Sequence, residues 1–221
     1  MDKEYSVLMS VYQKEYPEYL RAAITSIVNQ TLKAKEFVLV CDGPLTNALE
    51  QVLDEFSNIL ILVRLEKNVG LGMALAEGMR YCNCEWIVRM DSDDIAFPDR
   101  CKKQIIYVQQ HPEIDVLSGT VAEFEGSALT AEEAKQQVVS LKFVPETDRE
   151  IAEYIKFRNP INHPCVMFRK SKAAAAGGYQ QCYMFEDYDL WVRMFKNKCV
   201  FANLTDTILY MLSLIHISEP T

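Results

Sequence analysis

The chain has 221 residues and a formal net charge of −8, and 49% of its residues are hydrophobic against 24% charged. These values indicate a soluble globular protein with one sizeable core. The acidic balance argues against a nucleic acid as partner, since proteins of that class usually carry a basic surface. The seven cysteines include no CxxC pair, so they favour a reducing compartment over a disulfide framework and do not predict a zinc site.

Apolar runs and helix-like periodicity alternate along the first 110 residues. The predicted strands lie at 5–12, 36–43, 58–65 and 85–91, and the predicted helices lie at 17–30, 46–56, 70–82 and 98–111. This βα order predicts an α/β protein with a mostly parallel, doubly wound sheet flanked by helices.

The second half of the chain is less regular, and residues 125–145 show no clear pattern. The remaining predicted elements are an apolar run at 114–124, a helix near 146–157, a strand at 165–170 and a helix at 185–197. No repeat or linker interrupts the sequence, so a single domain over 1–210 is the economical interpretation.

The two ends of the chain allow predictions about its tail and its location in the cell. Residues 211–221, MLSLIHISEPT, are typical of a translated sequencing adapter, so we expect a non-native or truncated tail there. The first predicted strand begins too close to Met1 to leave room for a signal peptide, and no apolar run approaches the roughly 20 residues that span a bilayer. The chain is therefore predicted to be cytoplasmic, with peripheral membrane contact left open.

Polar residues follow four of the predicted strands. They are Ser10-Val11-Tyr12, Asp42-Gly43, Asn68 with Gly70, and Asp91-Ser92-Asp93-Asp94. Ligands of open parallel sheets bind outside the carboxyl ends of the strands. Four such groups on one edge of the sheet therefore predict a binding crevice.

The acidic group after the fourth strand suits a divalent cation. In an extended chain, Asp91 and Asp93 lie on one side together with Arg89. Two hard oxygen donors at this spacing suit Mg²⁺ or Mn²⁺ shared with substrate phosphates, and without the ion one carboxyl group would tend to keep its proton. The alternative is a charged turn before a helix, where Asp94 and Asp99 would be favourable.

The segment NVGLGMALAEG leaves a second alternative open. Gly70 and Gly72 follow a strand and open a helix, and Asp91 lies about twenty positions further on, as in dinucleotide-binding sites of NAD-dependent oxidoreductases. However, the third glycine position holds Leu75. Glycines that permit a tight turn and close helix packing explain the segment at least as well.

Two further features are ambiguous on spacing alone. Glu186, Asp187 and Asp189 begin an amphipathic helix, where acidic side chains are favourable to the helix dipole in any protein. His163 precedes a predicted strand, and a lone histidine there is more often a hydrogen-bonded structural residue than a catalytic one.

Taken together, six segments resemble family 2 glycosyltransferases with the GT-A (nucleotide-diphospho-sugar transferase) fold, especially the bacterial exopolysaccharide enzymes of the amylovoran type. The segments occur in the family's order from about residue 5 to residue 210. They are SVLMSVYQKEYPEYLRAAITSIVNQT, LVCDGP, NVGLGMALAEGM, VRMDSDDIAFPDR, NHPCVMFRK and EDYDLWVRM.

The resemblance implies roles for individual residues. Asp91 and Asp93 match the family's D-x-D pair, with Asp93 the direct metal ligand and Asp91 nearer the ribose. Asp187 matches the catalytic base, with Glu186 beside it as an acceptor-site residue or an alternative base. The nucleotide-binding positions are Ser10, Val11 and Tyr12 around the nucleoside, Asp42 on the base, and Asn68 and Gly70 near the nucleotide.

The implied activity is inverting, metal-dependent transfer of a sugar from a nucleotide-diphospho-sugar to a hydroxyl of a saccharide or lipid-linked saccharide. Mn²⁺ or Mg²⁺ is the expected cofactor, and the expected location is the cytoplasm, at the inner face of the bacterial plasma membrane. Residues 1–110 would form the nucleotide-binding half and 111–210 the acceptor-binding and catalytic half. Because the family continues beyond residue 210 with a segment missing here, a non-catalytic nucleotide- or carbohydrate-binding module is the alternative.

Overall fold

The computed structural model describes residues 4–213. The predicted tail at 211–221 therefore lies mostly outside the described residues. Its first two members, Met211 and Leu212, extend the last strand and pair with Glu123 and Phe124.

The first half of the chain alternates strands and helices as predicted. In chain order the elements are β1 (Tyr5–Val11), α1 (Pro17–Val28), β2 (Glu36–Cys41), α2 (Asn47–Glu55), β3 (Leu60–Arg64), α3 (Leu71–Tyr81), β4 (Trp86–Met90), β5 (Ile95–Ala96) and α4 (Arg100–Gln110). Each of the eight predicted elements occurs within two residues of its predicted ends. The two-residue strand β5 was not predicted, since so short a segment has no periodicity.

The second half supplies the elements that close the site. In chain order these are β6 (Val116–Phe124), α5 (Ala131–Gln136), β7 (Val138–Lys142), α6 (Asp148–Tyr154), a 3₁₀ turn (His163–Cys165), β8 (Met167–Arg169), α7 (Lys170–Ala175), α8 (Glu186–Lys196) and β9 (Phe201–Leu212). The stretch without a sequence pattern, 125–145, contains α5 and β7. The predicted strand at 165–170 is shorter than expected because a turn precedes it and a helix begins at Lys170.

The described strands form one mixed sheet in the order β3-β2-β1-β4-β8-β6-β9-β5, with β7 paired to β6 outside this path. β1 to β4 are mutually parallel, as predicted, because the crossover helices α1, α2 and α3 return the chain to the same end of the sheet. β8 pairs antiparallel with both β4 and β6, and β6 pairs parallel with β9. The antiparallel pairings all belong to the part of the sheet beyond β4.

Apolar side chains cover both faces of the sheet. On β1, Val7 and Met9 join the core beneath α1, α2 and α4, whereas Leu8 joins the core beneath α3, α7 and α8. Trp191 of α8 is fully buried and makes an edge contact with Phe168 of β8. This packing fixes α8 across the sheet and so sets the position of its amino-terminal end. None of the helices within residues 4–213 combines the length and apolarity needed to cross a bilayer.

Candidate active site

Strand register places the predicted polar groups along one edge of the sheet. β1 lies between β2 and β4, with Val11 opposite Cys41 and Met9 opposite Met90. Because the three strands are parallel, the loops that follow them leave the sheet side by side. The loops after β1, β2 and β4 are therefore neighbours at one edge of the sheet, and the predicted binding crevice there stays a prediction.

The loop after β4 brings three carboxyl groups together. Oxygen atoms of Asp91, Asp93 and Asp94 lie within 4.8 Å of one another. The loop is tied to its neighbour by the Ser92 hydroxyl, which donates a hydrogen bond to Glu15 in the loop after β1. A fourth carboxylate therefore stands at the border of the cluster.

The donor set of this acidic cluster (Asp91, Asp93 and Asp94) fits a divalent cation. Asp94 is 2% exposed, and its Oδ1 accepts the backbone N–H of Leu212 at 2.9 Å. Its Oδ2 is buried and has no hydrogen-bond partner within residues 4–213. An unpartnered carboxylate oxygen beside two further carboxyl groups suits Mg²⁺ or Mn²⁺, which prefer hard oxygen ligands.

The charge balance of the cluster also favours a cation. Burial, together with the nearby Asp91 and Glu15 carboxylates, raises the pKa of Asp93 to about 7. Burial, followed by the charges of Asp93 and Asp91, holds the pKa of Asp94 well above its usual range. Because the surroundings disfavour so many negative charges, bound protons or a cation must offset them.

A buried arginine faces the same loop. Arg89 is 1% exposed, and both of its Nη atoms donate to Asp91, with an Nη1–Oδ2 distance of 2.6 Å. Burial opposes the guanidinium charge, but the Asp91 carboxylate together with Tyr179 and Asp94 outweighs this effect, so the pKa of Arg89 is raised. Arg100, which is fully buried, donates from Nη2 to the Arg89 carbonyl oxygen at 2.6 Å and fixes the end of β4.

Asp42, after the end of β2, binds the backbone of the turn that follows β3. Its Oδ1 accepts the N–H of Val69 at 2.7 Å and its Oδ2 accepts the N–H of Gly70 at 3.1 Å. The Asn68 amide donates to the Asp42 carbonyl oxygen at 3.3 Å. The side chain is 4% exposed. The expected contact of Asp42 with the nucleotide base stays a prediction, because the observed partners of its carboxylate are backbone groups.

Backbone conformation explains the glycine at position 70, and close packing explains the glycine at position 72. Gly70 adopts φ +87° at the entry to α3, a backbone conformation that residues with a side chain rarely adopt. A Cβ atom at Gly72 would lie 2.8 Å from both the Gln180 carbonyl oxygen and the Glu186 Cβ. Leu75, at the third glycine position of a dinucleotide site, is fully buried in the core. The close-packing interpretation therefore accounts for this segment.

The three residues at the end of β1 differ in exposure. Val11 is 1% exposed and packs in the core, so only its backbone is available to a nucleotide. Tyr12 is 43% exposed and Ser10 is partly exposed. Their predicted place at a nucleoside pocket stays a prediction.

Asp187 lies in the first turn of α8. Its Oδ2 accepts the Asn159 side-chain amide at 2.6 Å, and its Oδ1 accepts the Tyr188 N–H at 2.7 Å. Burial raises the pKa of Asp187, although these two hydrogen bonds and the charge of Arg89 lower it in part. Arg89 thus acts electrostatically on Asp187 while it is hydrogen bonded to Asp91.

Glu186 borders a cavity of about 260 Å³ between the amino-terminal end of α3 and the segment 180–186. Val69, Gly70 and Met73 line the opposite wall. The cavity therefore joins the turn after β3 to the acidic start of α8. Its position agrees with a place for Glu186 near an acceptor, which stays a prediction.

His163 has the surroundings of a structural residue. Its Nε2 lies 2.8 Å from the Tyr179 hydroxyl. Burial and the neighbouring Arg89 charge hold the pKa of His163 well below its usual range, so the ring is neutral. This geometry supports the structural interpretation.

The sequence does not identify the roles of Glu15, Asp94 and Asn159. Asp94 belongs to the predicted polar group after the fourth strand, but only Asp91 and Asp93 are predicted as metal ligands. Glu15 lies in a motif segment without a predicted role, and nothing in the sequence pairs Asn159 with Asp187.

Comparison with known proteins identifies the family. Residues 6–173 match Glycosyl transferase family 2, and the chain belongs to that family. The amylovoran biosynthesis glycosyltransferase AmsE of Erwinia amylovora is 42% identical over 207 residues, which are 93% of this chain and 74% of that protein. A UDP-Gal:α-D-GlcNAc-diphosphoundecaprenol β-1,3-galactosyltransferase of Escherichia coli is 34% identical, with 94% of this chain and 74% of that protein covered.

Solved structures show the same fold. S. aureus TarS in complex with UDP-GlcNAc superposes with a TM-score of 0.75 at 19% identity, covering 99% of this chain. The mannosyltransferase PcManGT of Pyrobaculum calidifontis, in complex with GDP-Man and Mn²⁺, gives a TM-score of 0.70 at 12% identity and covers 98% of this chain. The chain spans 60% and 58% of these two structures. The likeness confirms the predicted GT-A fold.

Proposed function

We propose that this chain is an inverting, metal-dependent glycosyltransferase of cell-surface polysaccharide biosynthesis, using a nucleotide-diphospho-sugar as donor. One observation carries the proposal: the buried Arg89 pairs with Asp91 of the acidic cluster and also acts electrostatically on Asp187. The family and its named relatives support the reaction class. The structural neighbours solved with a nucleotide-sugar support the type of donor.

Each acidic group has a distinct task in this mechanism. Asp93 and Asp91 would hold Mn²⁺ or Mg²⁺ at the donor diphosphate, and the bound ion would offset the charge of the leaving nucleoside diphosphate. Asp187, as carboxylate, accepts the proton of the acceptor hydroxyl while that oxygen attacks the anomeric carbon. A single displacement from the opposite face inverts the configuration at that carbon.

The proposal also assigns the two halves of the chain and the acceptor. Residues 1–110 form the nucleotide-binding half, with Ser10, Tyr12 and Asn68 near the nucleotide, and 111–210 form the acceptor half. A saccharide, free or lipid-linked, is the acceptor, and the E. coli relative named for a diphosphoundecaprenol-linked sugar supports the lipid-linked form. With a lipid-linked acceptor, the transfer reaction would take place at the cytoplasmic face of the plasma membrane.

The first test is a thermal-shift panel of UDP-, GDP- and TDP-sugars with and without Mn²⁺. One nucleotide class should raise the melting temperature by several degrees only when Mn²⁺ is present, because a ligand that binds the native state stabilises it. EDTA should reverse the shift, and Ca²⁺ serves as a control for non-specific ion binding. Stabilisation that is equal with and without the metal would contradict the metal-dependent donor site. Donor binding without any release of nucleoside diphosphate would favour the non-catalytic module.

The second test is the pH dependence of transfer. Since burial raises the pKa of Asp187, the carboxylate is protonated at a higher pH than an ordinary aspartate. The rate at saturating donor and Mn²⁺ should therefore fall as pH decreases, with a midpoint above the range of free aspartate, about 4. Asn159→Ala removes a hydrogen bond that favours the charged form, so it should move this midpoint to higher pH. An acidic limb that is the same in both proteins would contradict the assignment.

A further inference from the structure

A fixed positive charge lies beside the acidic cluster. Within residues 4–213, the carboxylate that forms an ion pair with Arg89 is Asp91. The Arg89 side chain is 2% exposed, whereas the Asp91 side chain is 33% exposed. The cation is therefore buried, and its anionic partner is partly exposed.

The surroundings of Arg89 keep it in place. Its backbone N–H donates to Val166 and its carbonyl oxygen accepts from Arg100. Tyr179, 3% exposed, is hydrogen bonded to His163 and close enough to the guanidinium to interact with its charge. The backbone of Arg89 is therefore fixed. Its buried guanidinium holds the Asp91 carboxylate through two hydrogen bonds, a planar contact that favours one geometry.

The bidentate contact affects how Asp91 can meet a cation. Both of its oxygens accept hydrogen bonds from Arg89, which neutralises its charge and occupies one lone pair on each oxygen. Asp93 forms no ion pair within the described residues, and Asp94 keeps one oxygen without a partner. The three aspartates are therefore not equivalent, although they lie within 4.8 Å of one another.

We propose that Arg89 is a positioning residue that locks Asp91 and weakens the binding of a free divalent cation, so that the ion is held firmly only together with the donor diphosphate. The inference rests on the proposed function. With Arg89 present, the cluster offers the incoming ion the charge of two aspartates rather than three. The anionic diphosphate supplies the missing negative charge, which couples ion binding to donor binding.

The decisive variant is Arg89→Met, studied by titration with Mn²⁺ alone, in the absence of nucleotide. It should bind Mn²⁺ about tenfold more tightly than the wild type, because removal of a neighbouring cation strengthens the attraction of the cluster. Its sugar transfer should nevertheless fall at least tenfold, because Asp91 is no longer held. Loss of structure would weaken both properties, so the opposite signs separate positioning from a structural role. Unchanged or weaker Mn²⁺ binding in a folded Arg89→Met protein would overturn the proposal.

Removal of one partner of a buried ion pair can prevent folding. Two more variants therefore test the proposal if Arg89→Met does not fold. The double variant Arg89→Met/Asp91→Asn removes both charges and should bind Mn²⁺ within about threefold of the wild type. A tenfold or greater loss there would mean that Asp91 holds the free ion strongly even while it is paired with Arg89, and would overturn the proposal. Arg89→Lys keeps the charge but not the bidentate contact, so it should keep Mn²⁺ affinity and raise the KM for the donor. A donor KM equal to that of the wild type would also overturn it.

Arg21→Met is the matched control. Arg21 forms a bidentate pair with Glu55 between α1 and α2, and its side chain is 46% exposed. The variant changes the net charge equally and should leave Mn²⁺ affinity unchanged. If the wild type binds no Mn²⁺ even with UDP or GDP, the metal-dependent function fails, and the inference fails with it. If the wild type binds normally and the Arg89 variants behave like it, only the inference fails.

Discussion

Asp187→Asn is expected to abolish sugar transfer, lowering kcat by about 1,000-fold, while donor affinity stays within twofold of the wild type. The amide has nearly the same shape as the carboxylate, and its single oxygen can still accept one of the two hydrogen bonds, from Asn159 or from the Tyr188 N–H. It cannot take a proton from the acceptor hydroxyl. Release of nucleoside diphosphate under single-turnover conditions measures the first effect. Calorimetric titration with the donor and Mn²⁺ measures the second.

Asp189→Asn is the matched control for this variant. Asp189 lies half a turn further along α8, where it pairs with Arg193 at 2.8 Å. The same substitution there should leave kcat within a few-fold of the wild type. Unchanged turnover in Asp187→Asn would remove Asp187 from the role of base, and Glu186 would then be the next candidate.

Asp93→Ala is expected to remove metal-dependent donor binding. Asp93 has no ion-pair partner within the described residues, so its carboxylate is the member of the acidic cluster most available to a cation. Loss of this ligand should weaken Mn²⁺ binding in the presence of nucleotide by about 100-fold, at least as much as loss of an outer-shell partner. Calorimetry with Mn²⁺ and the nucleoside diphosphate gives the measurement, and full affinity in the variant would count against the metal site.

The same variant should be more stable than the wild type without metal. Because the pKa of Asp93 is raised to about 7 in the folded protein, its ionised form opposes folding above that pH. Asp93→Ala removes this opposition, so the melting temperature at pH 8 without metal should rise. Asp99→Ala, which changes a half-exposed aspartate paired with Lys103, should alter neither the melting temperature nor the Mn²⁺ affinity substantially. A decrease in stability of Asp93→Ala would indicate a structural role instead.

The sequence by itself determined the first half of the fold. Strands β1 to β4 and helices α1 to α4 could be predicted to within two residues because each has a local periodicity, and a crossover helix makes neighbouring strands parallel. The same order placed the loops after β1, β2 and β4 at one edge, so the DSDD motif could be assigned to a crevice before any contact was known. The family resemblance then supplied the positions of Asp187 and Glu186, for which spacing alone left an ordinary helix start as an equal alternative.

Only the tertiary structure decided which groups in the site meet. The contact of Asp94 with Leu212 joins residues 118 positions apart, and that of Asn159 with Asp187 joins residues 28 positions apart. No local pattern encodes such pairs, because they depend on how separate segments pack across the sheet. Burial follows from the same packing. Spacing predicted that one carboxyl group of Asp91 and Asp93 would tend to keep its proton, but it could not predict that burial raises the pKa values of Asp93 and Asp187. A sequence records which acidic groups are present, but the depth at which they lie and the cations they face are properties of the folded chain.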